Sequence, residues 1–179
     1  MGKILNIVWE ELLPAMQSKA LPPAANHLKT LELKTASLRL PVIEGKTTTS
    51  ISKKISKKSY TLSANKLGIQ AIDFQLHKTP HSILLKRENT SDLIPIGNGQ
   101  YQKSTHQTHL PYTENLHKKI ATSGAWISDN VYQLKVYLYE MPESITYTFR
   151  FEEDQLLWES KLEHSLLGSS KQEPLLGQR

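Results

Sequence analysis

A chain of 179 residues with 38% apolar side chains can bury one proper core plus a smaller attached element, which excludes a wholly disordered polypeptide. It has no cysteine, so disulfides and thiolate metal sites are excluded, and no apolar run approaches the roughly 20 residues of a membrane-spanning helix. Lys and Arg outnumber Asp and Glu by 22 to 17, a net charge of +5, but part of the excess is local. Lys53, Lys54, Lys57 and Lys58 crowd one stretch and Lys118 and Lys119 another. Runs this short have the composition of a solvated linker, and nucleic acid is not the expected partner. The apolar stretch at the start is too short for a signal peptide and runs into Glu10 and Glu11. Asn6 stands where a myristoylation motif after Gly2 needs Ser or Thr. The expectation is a cytoplasmic chain with no membrane partner.

The first element covers residues 3–16. Ile4, Val8 and Leu12 fall on one line of a helix and Leu5, Trp9, Leu13 and Met16 on the adjacent line, with Asn6, Glu10 and Glu11 opposite. Pro14 ends or kinks this helix near Leu13. So apolar a stripe on so short a helix needs a surface to lie against, which makes Leu5, Trp9, Leu12 and Leu13 candidate interaction residues. After Pro22-Pro23, the leucines at 28, 31 and 38 mark a second helix from about Ala24 to Leu38, stopped by Pro41. Residues 42–58 are rich in Gly, Thr, Ser and Lys without periodicity, a linker composition.

From Ser59 the pattern turns to strands: Ser59–Ser63, Leu67–His77, Ser82–Lys86, Leu93–Ile96 and Gln100–Gln107. Turn signals at Lys78-Thr79-Pro80, 87–92 and Gly97-Asn98-Gly99 separate them. A loop around Pro111–Asn115 leads to the clearest pattern in the chain, Ile120–Glu153. There Tyr132, Leu134, Val136 and Leu138 alternate with Gln133, Lys135, Tyr137 and Tyr139, and Ile145, Tyr147, Phe149 and Phe151 alternate with Thr146, Thr148 and Arg150. Period two over β-branched and aromatic residues is an antiparallel hairpin, with Met141-Pro142-Glu143 at its corner. Gln155–Leu162 follows, and Pro174–Arg179 adds a last short strand. The chain thus divides into 1–18, an amphipathic helix; 19–58, a linker with a short helix; and 59–179, an antiparallel β-domain. Eight or nine short strands with no helix between them imply a mainly β fold. The expected form is an antiparallel β-barrel or half-barrel of lipocalin-like kind, with one or two N-terminal helices.

Five stretches carry a likeness to a known family: ILNIVWEELLPAM (4–16), YTLSANKLGI (60–69), SGAWISDNVYQLKVYLYEMP (123–142), Phe149-Arg150-Phe151 and LLGQR (175–179). In these the chain resembles the C-terminal part of β-lactamase-related serine hydrolases, the penicillin-binding-protein-like family. The resemblance implies that residues 4–16 correspond to the last helix of a catalytic domain and that a small accessory β-domain follows it. It also implies that the nucleophilic Ser, its Lys and the remaining machinery lie upstream. The expected function is a non-catalytic accessory domain packed beside the hydrolase domain, possessing no cofactor and shaping the substrate entrance. Self-association through residues 4–16 is expected where that domain is missing.

Fragments of the family's motifs occur in this chain as well. Ser50-Ile51-Ser52-Lys53 and Ser63-Ala64-Asn65-Lys66 fit Ser-x-x-Lys, Ser128-Asp129-Asn130 spells a second motif, and Lys46-Thr47-Thr48 is a poor third. Their order and their positions in a linker, a strand turn and a strand interruption oppose an active site. His106 and His109 have a metal-like spacing, but on a strand they face opposite ways. Trp126, Tyr147 and Trp158 could line a ligand cavity in a barrel that binds an apolar molecule on its own account; filling the core is the commoner use of such rings.

Overall fold

In the structure, a computed structural model, residues 2–20, 22–56, 58–107, 117–141, 143–163 and 170–179 are described. The chain separates into two compact units, Met1–Leu40 and Pro41–Arg179.

In the first unit a helix, α1 (Gly2–Ile7), continues as π-helical turns over Val8–Leu12. The Leu13 N–H donates to the Val8 carbonyl at 2.9 Å, a five-residue step that closes the last turn before Pro14 can break it. A second helix, α2 (Ala25–Ser37), lies one residue inside each expected end. Neither helix contains a buried residue. No helix of the described residues is long and apolar enough to cross a membrane.

The second unit is mainly β and forms a nearly closed antiparallel barrel. Its strands are β1 (Ser59–Leu62), β2 (Ala71–Gln75), β3 (His81–Lys86), β4 (Ser91–Ile96), β5 (Gln102–Gln107), β6 (His117–Trp126), β7 (Val131–Leu138), β8 (Glu143–Glu152), β9 (Gln155–Glu163), β10 (Ser170–Lys171) and β11 (Leu175–Gln178). They are ordered β4-β3-β2-β1-β11-β9-β8-β7-β6-β5, with β10 beside β9. Neighbours follow one another in sequence except at β11, which is inserted between β1 and β9. The expected final strand is therefore a joint of the sheet and not a fringe. Gly177 sits closely here: a Cβ there would stand 3.0 Å from Leu62 Cδ2 and 3.2 Å from Leu156 Cβ.

The sheet's two ends meet at β6. β5 pairs with β6 only up to Thr122. Beyond it, the edge of β6 is taken by the Gly97 corner and by Lys46. Gly97 donates to the Thr122 carbonyl (3.3 Å) and accepts from Gly124 (3.0 Å), while Lys46 and Trp126 exchange both backbone bonds at 2.9 Å. Backbone groups that an open sheet would leave unpaired are satisfied here.

Residues 41–58 thus belong to the barrel unit, and the expected linker is corrected. The sequence there has little periodicity because its order comes from distant partners. Lys46 is bonded to β6, and a single-turn helix, α3 (Ser52–Ile55), places Ile55 in the core. Leu67–Gln70 is likewise turn and not strand. The Asn65 side chain organises it, bonding the carbonyls of Ser63 and Ile69 and the amides of Leu67 and Ile69. The expected loop at Pro111–Asn115 and the corner residue Pro142 lie outside the described residues.

The alternation read in β7 and β8 holds. Tyr132, Leu134, Val136 and Leu138 turn inward with Ile145, Phe149 and Phe151, and Tyr132 and Trp158 flank Phe149 in register. Arg150 alternates outward, as expected, and pairs with Glu159 on β9. Phe149 is fully buried, so Phe149→Ala should lower the unfolding free energy by about 3–5 kcal/mol. Urea denaturation followed by far-ultraviolet circular dichroism measures it; a loss below about 1 kcal/mol would show that this ring does not carry the core.

Candidate functional site

The fragments that imitate hydrolase motifs are surface turns. Ser50 precedes the single turn of α3 and is exposed along with Lys53. Ser52 is buried, and its hydroxyl accepts the Thr49 N–H at 2.8 Å. Ser63 and Lys66 are exposed in the turn built by Asn65. Ser128, Asp129 and Asn130 form the turn between β6 and β7. The structure does bring two fragments together, since Lys46 Nζ lies 3.1 Å from Asp129 Oδ1. Both side chains are mostly exposed, and a solvated pair of this kind contributes little. Among the described residues neither Ser-x-x-Lys fragment has both its Ser and its Lys on one helix, the arrangement that activation of the hydroxyl by an amine needs. His109 lies outside the described residues, and of His106 only the backbone, in β5, is described. No group of three or more His, Cys, Asp or Glu able to hold a metal occurs among the described residues.

The three candidate cavity aromatics are members of one interior stack. Tyr132 meets Trp126 at 5.3 Å between ring centroids, Trp126 meets Phe151 at 5.6 Å, and Phe151 meets Phe74 at 5.0 Å. Phe74 then meets Phe149 at 5.1 Å, Phe149 meets Trp158 at 5.3 Å, and Trp158 meets Tyr147 at 5.4 Å. Mostly edge-on or tilted, these rings pack against one another in the core. Trp126 and Trp158 are buried and Tyr147 half-buried; burial pushes the Tyr147 phenol up to about 12.

The outward face of β7 holds an ion cluster that alternation alone does not foresee. Lys135 is only 8% exposed. Its Nζ donates to Thr146 Oγ1 at 3.1 Å, pairs with Glu163, and lies 5.5 Å from the Tyr137 ring centroid. Glu163 also pairs with Lys161 at 2.9 Å. Hydrogen bonds from Lys135 and then Lys161 hold the Glu163 carboxyl down to about 2. The register explains the grouping, for Lys135, Thr146 and Lys161 are successive cross-strand neighbours on β7, β8 and β9. Lys135 and Lys161 share the one carboxylate of Glu163, so the cluster acts as a cross-strand tie.

A second polar group sits inside the barrel, where β6 receives the Gly97 corner. His81, at the start of β3, is fully buried. Its Nδ1 lies 2.9 Å from Asn98 Nδ2 and 3.1 Å from the Tyr132 hydroxyl. Asn98 Nδ2 also donates to the Gly124 carbonyl at 3.3 Å, and the Thr122 hydroxyl lies 2.6 Å from the Pro95 carbonyl. Burial, reinforced by the nearby His77, lowers the His81 imidazole to about 4; burial raises the Tyr132 phenol well above its ordinary range. No sequence signal marked this group, because its members come from β3, the β4–β5 turn, β6 and β7.

The candidate interaction residues of α1 and its π-turns present the opposite situation. Trp9 is 67% exposed, Leu5 53%, Leu12 59% and Leu13 39%. Ile4, Ile7 and Met16 are exposed with them, as are Leu28, Leu31 and Leu38 in and after α2. These exposed side chains have no apolar cover in the chain's described residues. No protein-family model and no curated protein matches the chain.

The glycine at the centre of the polar group yields a direct test. A Cβ on Gly124 would stand 2.5 Å from the Tyr132 hydroxyl and 2.9 Å from the Gln133 carbonyl oxygen, which is backbone and cannot rotate away. Gly124→Ala should cost about 1–3 kcal/mol through overpacking. Denaturant titration reads this loss, and a neutral result would show that Tyr132 can leave its place over β6 freely.

Proposed function

We propose that this chain is the non-catalytic C-terminal accessory part of a β-lactamase-related serine hydrolase. In this reading residues 4–16 are the last helix of the catalytic domain, and the barrel packs beside that domain at its substrate entrance. The exposed stripe of Leu5, Trp9, Leu12 and Leu13 is the observation that carries the proposal. Burying side chains of this size is worth roughly 1.5–3 kcal/mol each, and the stripe belongs to the stretch whose sequence resembles that closing helix. The packing of Trp126, Tyr147 and Trp158 in or against the core cluster supports a structural role for these rings over ligand storage. The motif fragments on exposed turns agree with chemistry supplied from elsewhere in the parent protein.

Two measurements test the reading. The isolated chain should not hydrolyse nitrocefin or simple p-nitrophenyl esters; turnover abolished by Ser50→Ala or Ser63→Ala would overturn the proposal. With the hydrolase domain absent, the stripe should pair with the same stripe on a second copy. Light scattering should therefore show self-association at high concentration, lost on removal of residues 1–18, while β-sheet circular dichroism is unchanged. If that removal unfolds the barrel, the helix belongs to the barrel's own core and the assignment fails.

A further inference from the structure

The polar group around His81 joins the two ends of the sheet, and its hydrogen-bond directions fix a protonation state. The Gly124 carbonyl can only accept, so the Asn98 amide turns its NH2 group toward it. The same NH2 group faces His81 Nδ1 at 2.9 Å, which must accept in turn. The ring proton therefore resides on Nε2, which is buried without a hydrogen-bond partner among the described residues, and the imidazole is neutral. A proton added at Nδ1 would set an N–H against the Asn98 N–H. The Tyr132 hydroxyl, 3.1 Å away, can rotate to accept it. Asn98 cannot adapt, since rotating its amide would set Oδ1 against the Gly124 carbonyl.

We propose that His81, Asn98 and Tyr132 form an acid-sensitive latch, in which protonation of His81 at Nδ1 expels Asn98 and frees the Gly97 corner from β6 while the rest of the barrel stays folded. The parts released are few. Gly97 is held to β6 by two backbone bonds, and Asn98 is the next residue in the chain. The β7–β8 and β8–β9 ladders, paired along their whole lengths, bear the rest. The titratable groups that face His81 are His77, in the β2–β3 connection, and Tyr132 on β7. Its cross-strand partner, Ile96 on β4, is apolar. The pair between Lys46, on the edge of β6, and Asp129, in the β6–β7 turn, is mostly exposed and closed on itself. Among the described residues, the side-chain partners of His81 are Tyr132 and Asn98, and neither is a carboxylate that would offset a positive charge there.

The sign follows from the imidazole being held below its ordinary value. The closed latch is fully favoured above about pH 6.5 and loses ground as the pH falls toward about 4, because the opened state binds a proton that the closed state refuses. Amide hydrogen exchange on the full chain, read residue by residue by NMR at pH 7 and pH 4.5, tests it. Protection factors at Gly97 and Gly124 should fall roughly 50-fold, while amides of the β7–β8 ladder keep theirs. His81→Gln, which retains an acceptor but does not titrate, should make protection at Gly97 and Gly124 independent of pH. A uniform loss across the barrel, an unchanged Gly124, or an undiminished pH dependence in His81→Gln each overturns the latch. Should His81→Gln not fold, the ring carbon shifts of His81 in the unaltered chain decide: a midpoint near 4 supports the proposal and one at 6 or above sinks it.

Discussion

Everything in the barrel depends on a sheet being made to meet itself. A sheet with free ends exposes two rows of unpaired backbone groups, and here the two ends, β4 and β5, come together at β6. The β4–β5 corner and Lys46 divide the upper edge of β6 between them, and Gly124 leaves room there for the Tyr132 hydroxyl. Within the sheet a strand of four residues, β11, stands between β1 and β9 and joins the first half of the barrel to the second. Gly177 on it faces Leu62, Leu156 and Tyr60. Arg179, just past β11, lies over the Tyr60 ring and pairs with Asp154, tying the β8–β9 turn to the same joint.

Closure in turn decides what the interior can be. With the two ends brought together, the rings from Tyr132 to Tyr147 pack into a continuous stack, and apolar residues of β2, β3 and β4 belong to the same core. At the seam Thr122, Asn98, His81 and Tyr132 bond one another and the adjoining carbonyls, while His81 Nε2 is buried without a hydrogen-bond partner among the described residues. Bonding of this kind offsets the cost of burying most of these groups. Their place marks where the sheet is joined.

Much of the architecture was legible because it is local. Period two in 131–138 and 143–152 reports which side chains face inward, and the stripe at 4–16 reports a helix ended by Pro14. The rest depends on residues far apart in sequence. Nothing near Leu175 says that its strand must enter between β1 and β9. Nothing in Gly45-Lys46-Thr47 says that Lys46 pairs with Trp126, so a segment of linker composition is in fact part of the wall. Lys135 looked like a solvent-facing lysine, yet Glu163 and Thr146, its neighbours across two strands, draw it down onto the sheet. The seam around His81 was invisible for the same reason: each of its side chains is ordinary in its own strand or turn.

The distribution of tryptophan has an optical consequence. Trp9 stands in water on the first unit, Trp126 lies at the seam of the barrel, and Trp158 is enclosed in the ring stack. An indole in water emits further to the red than an enclosed one, and a dissolved collisional quencher reaches the first and not the other two. The chain therefore carries its own unlabelled probes, one colour for the helical unit and another for the barrel, by which events in either can be followed in the same cuvette.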